Sequence, residues 1–514
     1  MKKTAISLLL ALALCASMLP AAVSADGGEF IFDAETGTIT GYTDDTVTEL
    51  VIPAEIDGVA VRAIGERAFF YLKSLRKVTM PDCVEIIEYN AFEKCESLLS
   101  VSIGKNLKWL SDSGLSLCAS LTEINVAEDN ETYASSDGVL YSKDMGTLIF
   151  CPRGKSGEFA VPDGVAEIEH QAFAMCNRLT SVTIPASVTE ISYAGFSSCH
   201  NLTAITAAKD HNFYVSFDGI LYSNDKTTLV CCPGGRDGEF AVPDGVTTIG
   251  RCAFEGCAGL TRVTIPDSVT EIGNYAFCFC TRLASVAIPG SVTEIGDYAF
   301  CYCESLSNVT IPQGVEVIGD CAFQYCTRLT GVTIPESVEI IREGAFSNCT
   351  SLTSMEIPDR VMSIRAFTFD NCSSLTSVTI PKSVSRIGIA AFNTCTSLTD
   401  VTIPNGVAVA SYAFDNCDSL KTVRIDGRVT WIGWSAFNNC PSLTDVYYSG
   451  TETEWNEIEI EQYNDPLINA NIHFGSLLSA VQIRNIVIAA ACLVFAAGIT
   501  VLIVLRRKKR KAGK

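Results

Sequence analysis

A phrase of about 23 residues recurs along most of this 514-residue chain. Residues 260–280 read LTRVTIPDSVTEIGNYAFCFC, and residues 283–303 read LASVAIPGSVTEIGDYAFCYC. Self-similarity at a fixed period of this length is typical of arrays in which each unit packs against its own copies. The repeat therefore constrains the fold more strongly than chain length, which alone would suggest about three domains.

A phenylalanine, usually preceded by alanine, marks each unit, and Leu115 takes its place once. The other markers are Phe69, Phe92, Phe173, Phe196, Phe254, Phe277, Phe300, Phe323, Phe346, Phe369, Phe392, Phe414 and Phe437. Together they define fourteen units, most of them 23 residues apart. Two intervals are 58 residues long and hold copies of one insertion, beginning at Tyr133 and Tyr214. We interpret segments 139–150 and 220–230 within these copies as hairpins that interrupt one half of the array.

One unit shows how the repeat should fold. Val286 and Ile288 alternate with polar residues, as expected for a short strand, and Pro289 ends that strand because it lacks an amide hydrogen. Ile295 belongs to a second short apolar rung, and segment 297–303 is predicted to form about one helical turn. A single unit buries too little apolar surface to offset the entropy of ordering its backbone. The units must therefore stack into a β-rich solenoid with a shared core.

The consensus L-x-x-V-x-I-P-x-x-V-x-x-I-G-x-x-A-F-x-x-C resembles the BspA-type (Treponema pallidum-type) leucine-rich repeat of bacterial and some protist surface proteins. The insertions around Asp137 and Asp218, and the closing segment near Trp455, resemble that family too. The resemblance covers about residues 47–474. It implies a right-handed leucine-rich-repeat array of about 14 units with short strands and one-turn helical segments. It also implies an adhesin-like role in binding proteins of a host or of neighbouring cells.

The two ends of the sequence predict a membrane-anchored surface protein. Residues 1–25 combine two lysines, an apolar run and small residues before Asp26, which is the pattern of a secretory signal peptide. A lipoprotein signal at Cys15 is a weaker alternative, because Leu14 is bulky where a small residue is needed. The uncharged segment from Ile486 to Leu505 is long enough to cross a bilayer, and a basic cluster follows it. We therefore expect a single-pass plasma-membrane protein with an extracellular ectodomain and a cytoplasmic C-terminus.

These signals divide the chain into predicted segments. They are a signal peptide at 1–25, an N-terminal cap at 26–46, a solenoid at 47–440, a C-terminal cap at 441–474, a juxtamembrane segment at 475–485, a transmembrane helix at 486–505 and a basic tail at 506–514. The inserted hairpins lie near 127–162 and 208–243.

The charge balance restricts the partners. Between the signal peptide and Arg484, the chain carries 27 Lys and Arg against 58 Asp and Glu. Such an acidic exterior argues against nucleic acid as a partner and favours solubility or cationic partners.

Cysteines form a regular column three residues after the marker. The column comprises Cys95, Cys118, Cys176, Cys199, Cys257, Cys280, Cys303, Cys326, Cys349, Cys372, Cys395, Cys417 and Cys440. We interpret it as a packing column of small, soft side chains, the main alternative being a disulfide framework.

Four other cysteines fall on one face of the predicted turn in four successive units: Cys252, Cys278, Cys301 and Cys321. Neighbouring rungs near 5 Å apart bring Cα atoms within disulfide range, and Cys278 with Cys301 is the best candidate pair. Zinc is disfavoured, because ligands spread over successive rungs do not converge on a tetrahedral point. We predict no metal site and no cofactor.

The outward positions of the first strand define a candidate binding strip. Its members, two residues apart on the strands of successive units, are Arg262, Thr264, Asn308, Thr310, Thr333, Ser354, Glu356, Thr379, Ser377, Asp400 and Thr402. Threonine also suits strands for purely structural reasons, so the pattern alone does not prove binding.

No catalytic site is evident in the sequence. The four histidines are scattered, and the chain contains no G-x-S-x-G, phosphate-binding loop or H-E-x-x-H motif. We therefore predict a protein that is not an enzyme and that binds proteins or envelope polymers through the solenoid face. The alternative is a structural or scaffolding component of the cell envelope without an external ligand, since few residues separate Phe474 from Ile486.

Overall fold

The computed structural model describes residues 21–25, 28–427, 429 and 431–475. These residues form a β-solenoid of about 19 turns with few helices. The described chain divides into two compact units, the first ending at Val286 and the second beginning at Ala287. In each unit every turn contributes two short strands, and the strands of successive turns form two parallel ladders.

The first ladder, here called the Val ladder, contains the strand with the central valine of the repeat. In unit 1 its strands are β4 (Glu49–Val51), β8 (Lys77–Thr79), β10 (Ser100–Ile103), β12 (Glu123–Val126), β16 (Ser156–Ala160), β18 (Arg178–Ile184), β20 (Ala204–Ala207), β24 (Gly238–Ala241), β26 (Leu260–Thr264) and β28 (Ser285–Ala287), which ends at the boundary. In unit 2 they are β30 (Asn308–Thr310), β32 (Gly331–Thr333), β34 (Ser354–Glu356), β36 (Ser377–Thr379), β38 (Asp400–Ile403), β40 (Thr422–Ile425), β42 (Asp445–Tyr448) and β44 (Asn471–Phe474).

The second ladder, here called the Ile ladder, contains the Glu-Ile pair of the repeat. In unit 1 its strands are β3 (Thr38–Tyr42), β7 (Ala63–Ile64), β9 (Ile86–Ile87), β11 (Trp109–Leu110), β15 (Thr147–Phe150), β17 (Glu167–Ile168), β19 (Glu190–Ile191), β23 (Thr228–Cys231), β25 (Thr248–Ile249) and β27 (Glu271–Ile272). In unit 2 they are β29 (Glu294–Ile295), β31 (Val317–Ile318), β33 (Ile340–Ile341), β35 (Ser363–Ile364), β37 (Arg386–Ile387), β39 (Ala408–Val409), β41 (Trp431–Ile432) and β43 (Glu459–Ile460).

The remaining elements are hairpin strands and two short helices. The strands are β1 (Ala21–Ala25), β2 (Gly28–Asp33), β5 (Glu55–Ile56), β6 (Val59–Ala60), β13 (Tyr133–Ser136), β14 (Val139–Ser142), β21 (Tyr214–Phe217) and β22 (Ile220–Ser223), and the helices are α1 (Glu452–Trp455) and α2 (Asp465–Ile468).

The ladders keep equivalent residues in register. On the Val ladder Val101 of β10 pairs with Val78 and with Ile124, so each apolar position meets its copy in the next turn. The marker phenylalanines stack in the same way inside the core, with the rings of Phe323 and Phe346 5.4 Å apart and 3° from parallel. The shared core that the repeat predicts is therefore built from columns of like residues.

The predicted helical turn is wrong. In the turn around Phe323, alternate amides donate within the turn, as Ala322 N does to Gly319 O, while the others donate to the next rung. Phe323 N thus bonds Ala345 O at 2.8 Å. Left-handed residues at Cys321 (φ 52°) and Tyr325 (φ 58°) re-aim the backbone to make this alternation possible. An α-helical turn would direct its amides along its own axis, and the rungs would lose this third set of bonds.

The structure contains more turns than the fourteen marked units because four segments without the marker also form rungs. They contribute strands β3 and β4, β15 and β16, β23 and β24, and β43 and β44. Each insertion therefore contains a complete rung as well as a hairpin. The hairpins do not protrude, since Val139 and Leu140 of the first copy and Ile220 and Leu221 of the second are fully buried.

Each insertion hydrogen-bonds to the strand of the Val ladder that precedes it in the chain. Gly138 O accepts from Ile124 N at 2.9 Å in the first copy, and Gly219 O accepts from Ile205 N at 2.8 Å in the second. The first hairpin also reaches the Ile ladder, where the Tyr133 hydroxyl accepts from Leu110 N at 3.1 Å. Both copies are thus built on the same backbone scaffold.

Four predicted segments lie wholly or mainly outside the described residues: the signal peptide at 1–25, the juxtamembrane segment at 475–485, the transmembrane helix at 486–505 and the basic tail at 506–514. Of the signal peptide only residues 21–25 are described, as β1 paired with β2, and of the juxtamembrane segment only Gly475. Within the described ranges, no helix is both long and apolar enough to cross a membrane.

Candidate binding surface

The candidate strip residues all lie exposed on the Val ladder. Arg262 and Thr264 belong to β26 of unit 1, and the other nine belong to unit 2, on strands β30 to β38: Asn308, Thr310, Thr333, Ser354, Glu356, Ser377, Thr379, Asp400 and Thr402. Their exposure follows from the strand period, because side chains alternate between the two faces and the intervening Val309 and Val401 fill the core.

The threonines beside this strip fall into two chemically different columns. Those just before each strand use their hydroxyls internally: Thr353 Oγ1 donates to Thr330 O at 3.2 Å and Thr376 Oγ1 to Thr353 O at 3.0 Å. By contrast, Thr333 and Thr379 have no side-chain hydrogen bond to any part of the chain that the structure describes. The sequence does not separate the two columns, because both carry the same residue type at the same period. The second column therefore keeps its hydroxyl hydrogens available to donate to a partner, whereas the first column can only accept.

The strip deepens into a groove of about 460 Å³ over strands β30, β32 and β34. At its centre is Gly331, where successive units carry Ser354 and Ser377. A Cβ built on Gly331 would have no atom within 4 Å, so the notch is open space. The walls include Asn308 and Glu356.

The groove has an acidic rim. Glu336 and Glu356 both line it, and the basic residues of the described chain contribute no side chain to the lining. The Glu336 carboxylate is held by Asp359 N at 3.3 Å, whereas Glu356 has no partner among the described residues. Glu356 also replaces the threonine that its column carries in adjacent turns. A position without a side chain, 331, and an acidic residue without a partner among the described residues, Glu356, thus meet in one concavity.

The far end of the strip is neutralised internally. Asp400 of β38 is bridged by Arg424 of β40, with Nη1 to Oδ1 at 3.0 Å. Farther along, the Asp445 carboxylate accepts from His473 Nε2 at 2.8 Å, and this bond together with the Thr444 hydroxyl lowers the pKa of Asp445. Of the two acidic residues in the strip, Asp400 is therefore paired and Glu356, in the groove, is not.

The structure confirms that the cysteine column packs in the core. In unit 2, Cys326 Sγ donates to Phe300 O at 3.3 Å and Cys349 Sγ to Phe323 O at 3.2 Å, the carbonyls of the preceding rung. Burial raises the pKa of these thiols, in Cys440 to about 12. The thiols are thus unreactive at neutral pH. Core packing of these cysteines was predicted, but their role as hydrogen-bond donors was not. A small side chain with an S–H group can both pack in the core and donate a hydrogen bond.

The candidate disulfide stays a prediction. Cys278 lies in unit 1 and Cys301 in unit 2, and both are buried. Cys252 and Cys321 occupy left-handed positions of their turns, with φ values of 58° and 52°. Within the described residues, no cluster of three or more His, Cys, Asp or Glu is arranged to hold a metal ion.

Stacked parallel ladders, a shared core of like residues and a long exposed strand face define a leucine-rich-repeat β-solenoid. The model of the BspA type leucine rich repeat region matches residues 42–152, 143–226, 238–352 and 316–444 in six copies. The chain belongs to the BspA-type leucine-rich-repeat family.

Solved structures with similar folds come from bacterial leucine-rich-repeat proteins. One from Bacteroides ovatus is 23% identical, with 88% of this chain and 99% of that chain covered at a TM-score of 0.43. The T. pallidum leucine rich repeat protein is 30% identical over 37% of this chain and 90% of its own, at a TM-score of 0.32. A leucine rich cell surface protein from Faecalibacterium prausnitzii is 24% identical, covering 86% and 98%, at 0.32. No curated protein matches the chain.

Proposed function

We propose that this protein is a membrane-anchored, extracellular binding protein that recognises other proteins through the Val ladder of unit 2. The observation that carries the proposal is the groove at Gly331, where a residue without a side chain lies beside Glu356, the acid that replaces the threonine of the adjacent turns. Membership of a family of repeat surface proteins supports the same role.

The chemistry of the groove indicates the kind of partner. Glu356 is unpaired among the described residues, and Glu336 adds a second carboxylate to the rim of the groove. A basic side chain from the partner would therefore meet complementary charge. The hydroxyls of Thr310 and Thr333 add acceptors and donors around it. A concave, polar site of this kind suits a protein segment that presents lysine or arginine.

The membrane anchoring and orientation are part of the proposal. They rest on the apolar segment 486–505, the basic cluster after it and the signal-like N-terminus. Protease treatment of intact cells should release fragments of the solenoid if the ectodomain is extracellular and accessible. Protection until the cell wall is digested would instead favour the alternative role as an envelope scaffold.

Variants at the groove test the binding role. The full chain, purified in detergent, would be measured by surface plasmon resonance against extracellular-matrix proteins and extracts of bacterial envelopes. Gly331→Ser introduces the serine of the two following turns and fills the notch without a clash, so binding should fall while folding is kept. Glu356→Thr should also weaken binding, by about two- to fivefold for an exposed charge pair.

A matched control separates groove chemistry from net charge. Glu316 is exposed just before β31 of the Ile ladder, and Glu316→Thr removes the same charge away from the groove. It should leave binding unchanged. Equal loss in the Glu316 and Glu356 variants, or no binding by the wild type to any of these materials, would refute the assignment.

A further inference from the structure

The two insertions are copies of one segment that share a scaffold. In both, a serine of the insertion accepts from an amide of the preceding strand: Ser135 Oγ from Val126 N at 3.0 Å and Ser216 Oγ from Ala207 N at 2.7 Å. Tyr214 repeats the bond of Tyr133 by accepting from Ile191 N at 3.2 Å. Features present in both copies are therefore explained by folding, and features present in one copy need another explanation.

The copies differ on the outward face of the hairpin. The second copy carries Phe213, Val215 and Phe217, where the first has Thr132, Ala134 and Ser136. Phe217 is 69% exposed and Phe213 49% exposed. Ser136 shows that the same hairpin folds with a small polar residue at this position. Phe217 thus serves no need of the scaffold, and large exposed apolar side chains are commonly parts of binding sites.

Val215 and Phe217 line an apolar pocket of about 230 Å³, to which Phe213 does not contribute. Val215 and Phe217 come from β21, Tyr222 from β22, and Pro243 and Val246 from the following rung. The pocket is large enough for one aromatic or branched aliphatic side chain. All of its lining residues belong to unit 1.

The charge at the rim of the pocket indicates which residue of a partner would lie next to the apolar side chain. Lys226 lines the pocket, is exposed, and has no ion pair within the described chain. The first copy has Met145 at this position, so the lysine is another gain of the second copy. Asp244 also lines the pocket, but Asp163 is its counterpart in the first copy and belongs to the shared Pro-Asp-Gly turn. A free cation beside an apolar pocket is complementary to a carboxylate.

We infer that the hairpin of the second insertion is a separate docking site for a peptide segment that places an aromatic or aliphatic side chain next to an acidic residue. The apolar side chain enters the pocket of Val215 and Phe217, and the neighbouring carboxylate meets Lys226. The site is distinct from the acidic groove, which favours the opposite charge.

Labelled peptides provide the test. Three peptides would carry one central phenylalanine flanked by two glutamates, two glutamines or two lysines, and their fluorescence anisotropy would be titrated with the full chain in detergent, using empty micelles as the blank. The glutamate peptide should bind tightest. Phe217→Ser, which installs the residue of the first copy, should weaken all binding by about tenfold or more, since most of an apolar contact is lost.

Lys226→Met, the matching replacement at the rim, should weaken only the glutamate peptide, by about two- to fivefold for an exposed charge pair. The reciprocal graft of Ala134→Val, Ser136→Phe and Met145→Lys should create a second site and raise the stoichiometry. Gly331→Ser should not change the affinity of any of the three peptides. A failure of this inference can therefore be distinguished from a failure of the proposed groove.

The inference would be overturned if the lysine peptide bound as well as the glutamate peptide, if Phe217→Ser had no effect, or if no peptide bound. Circular dichroism of each variant confirms that the fold is retained. A preference for the lysine peptide would instead assign the pocket to Asp244 and a basic partner.

Discussion

Ala390 and Ala391 are adjacent in one turn of unit 2 and allow the backbone account of the turns to be tested. Ala390 has a φ of 52°, in the left-handed region, and its amide bonds Ser411 O of the next rung at 3.0 Å. Ala391 has an ordinary φ and bonds Gly388 O within the turn at 3.3 Å. Both methyl groups are buried, with 5% and 0% exposure. Replacing each by glycine makes the same chemical change in two backbone conformations.

The two variants should differ mainly by the conformational strain. Either substitution removes a buried methyl group, at about 0.8 kcal/mol, and adds unfolded-state freedom, at about 0.5 to 1 kcal/mol. Ala391→Gly should therefore lose roughly 1.5 kcal/mol of unfolding free energy. At residue 390 glycine also relieves a left-handed strain of about 1 to 2 kcal/mol. Ala390→Gly should consequently leave the free energy of unfolding nearly unchanged. That free energy should be about 1 to 2 kcal/mol higher than in Ala391→Gly.

Urea unfolding followed by circular dichroism measures the difference. Repeat arrays can unfold in parts, but both positions lie in one turn and report on the same part. Equal destabilisation by the two substitutions would refute the alternating-turn account, because it would mean that residue 390 is not strained.

Three further predictions follow from single contacts. His211 Nδ1 accepts the amides of Phe213 and Tyr214, and burial lowers the pKa of His211. The folded protein favours neutral His211, so its contribution to stability is full above the unfolded-state pKa of about 6.5 and is lost as pH falls. His211→Asn copies Asn130 of the first insertion and removes the titrating group. Urea titrations should therefore show a smaller loss of unfolding free energy between about pH 7 and 5 in this variant than in the wild type. Cys326 should resist alkylation in the native protein at pH about 8 and react after denaturation; mass spectrometry showing rapid native labelling would contradict its buried, hydrogen-bonded state. Tyr133→Phe should cost about 1 kcal/mol, measured by thermal unfolding, because Leu110 N loses its acceptor; an unchanged Tm would show that water replaces the hydroxyl.

Much of the fold could be predicted from the repeat itself. The period places Val286 and Ile295 on strands and Phe300 in the core, as the structure confirms. The turn could not be predicted correctly, because a helical turn and a chain of alternating turns bury the same side chains. The distinction lies in residues such as Tyr298 at φ 56°, and tyrosine has no marked preference for that conformation.

The extra rungs left a readable signal that was missed. In each insertion the sequence Gly-Glu-Phe-Ala-Val-Pro repeats the strand pattern, with Phe159 and Val161 in the places of valine and isoleucine before proline. The absence of the Ala-Phe marker hid these rungs. The groove was only partly predictable: Glu356 was in the proposed strip, whereas the notch at Gly331 arises from a missing side chain and Glu336 comes from the turn beyond the strand.

The central claim is that the Val ladder of unit 2 faces a partner protein, and site-specific photocrosslinking on living cells tests it most directly. A photoreactive amino acid would replace Thr333 in the groove, and a control would place it at Glu316 beside the Ile ladder. The account predicts crosslinks to a defined protein from Thr333 that Gly331→Ser abolishes, and none from Glu316. Crosslinks of equal yield from both positions, or none from Thr333, would contradict it.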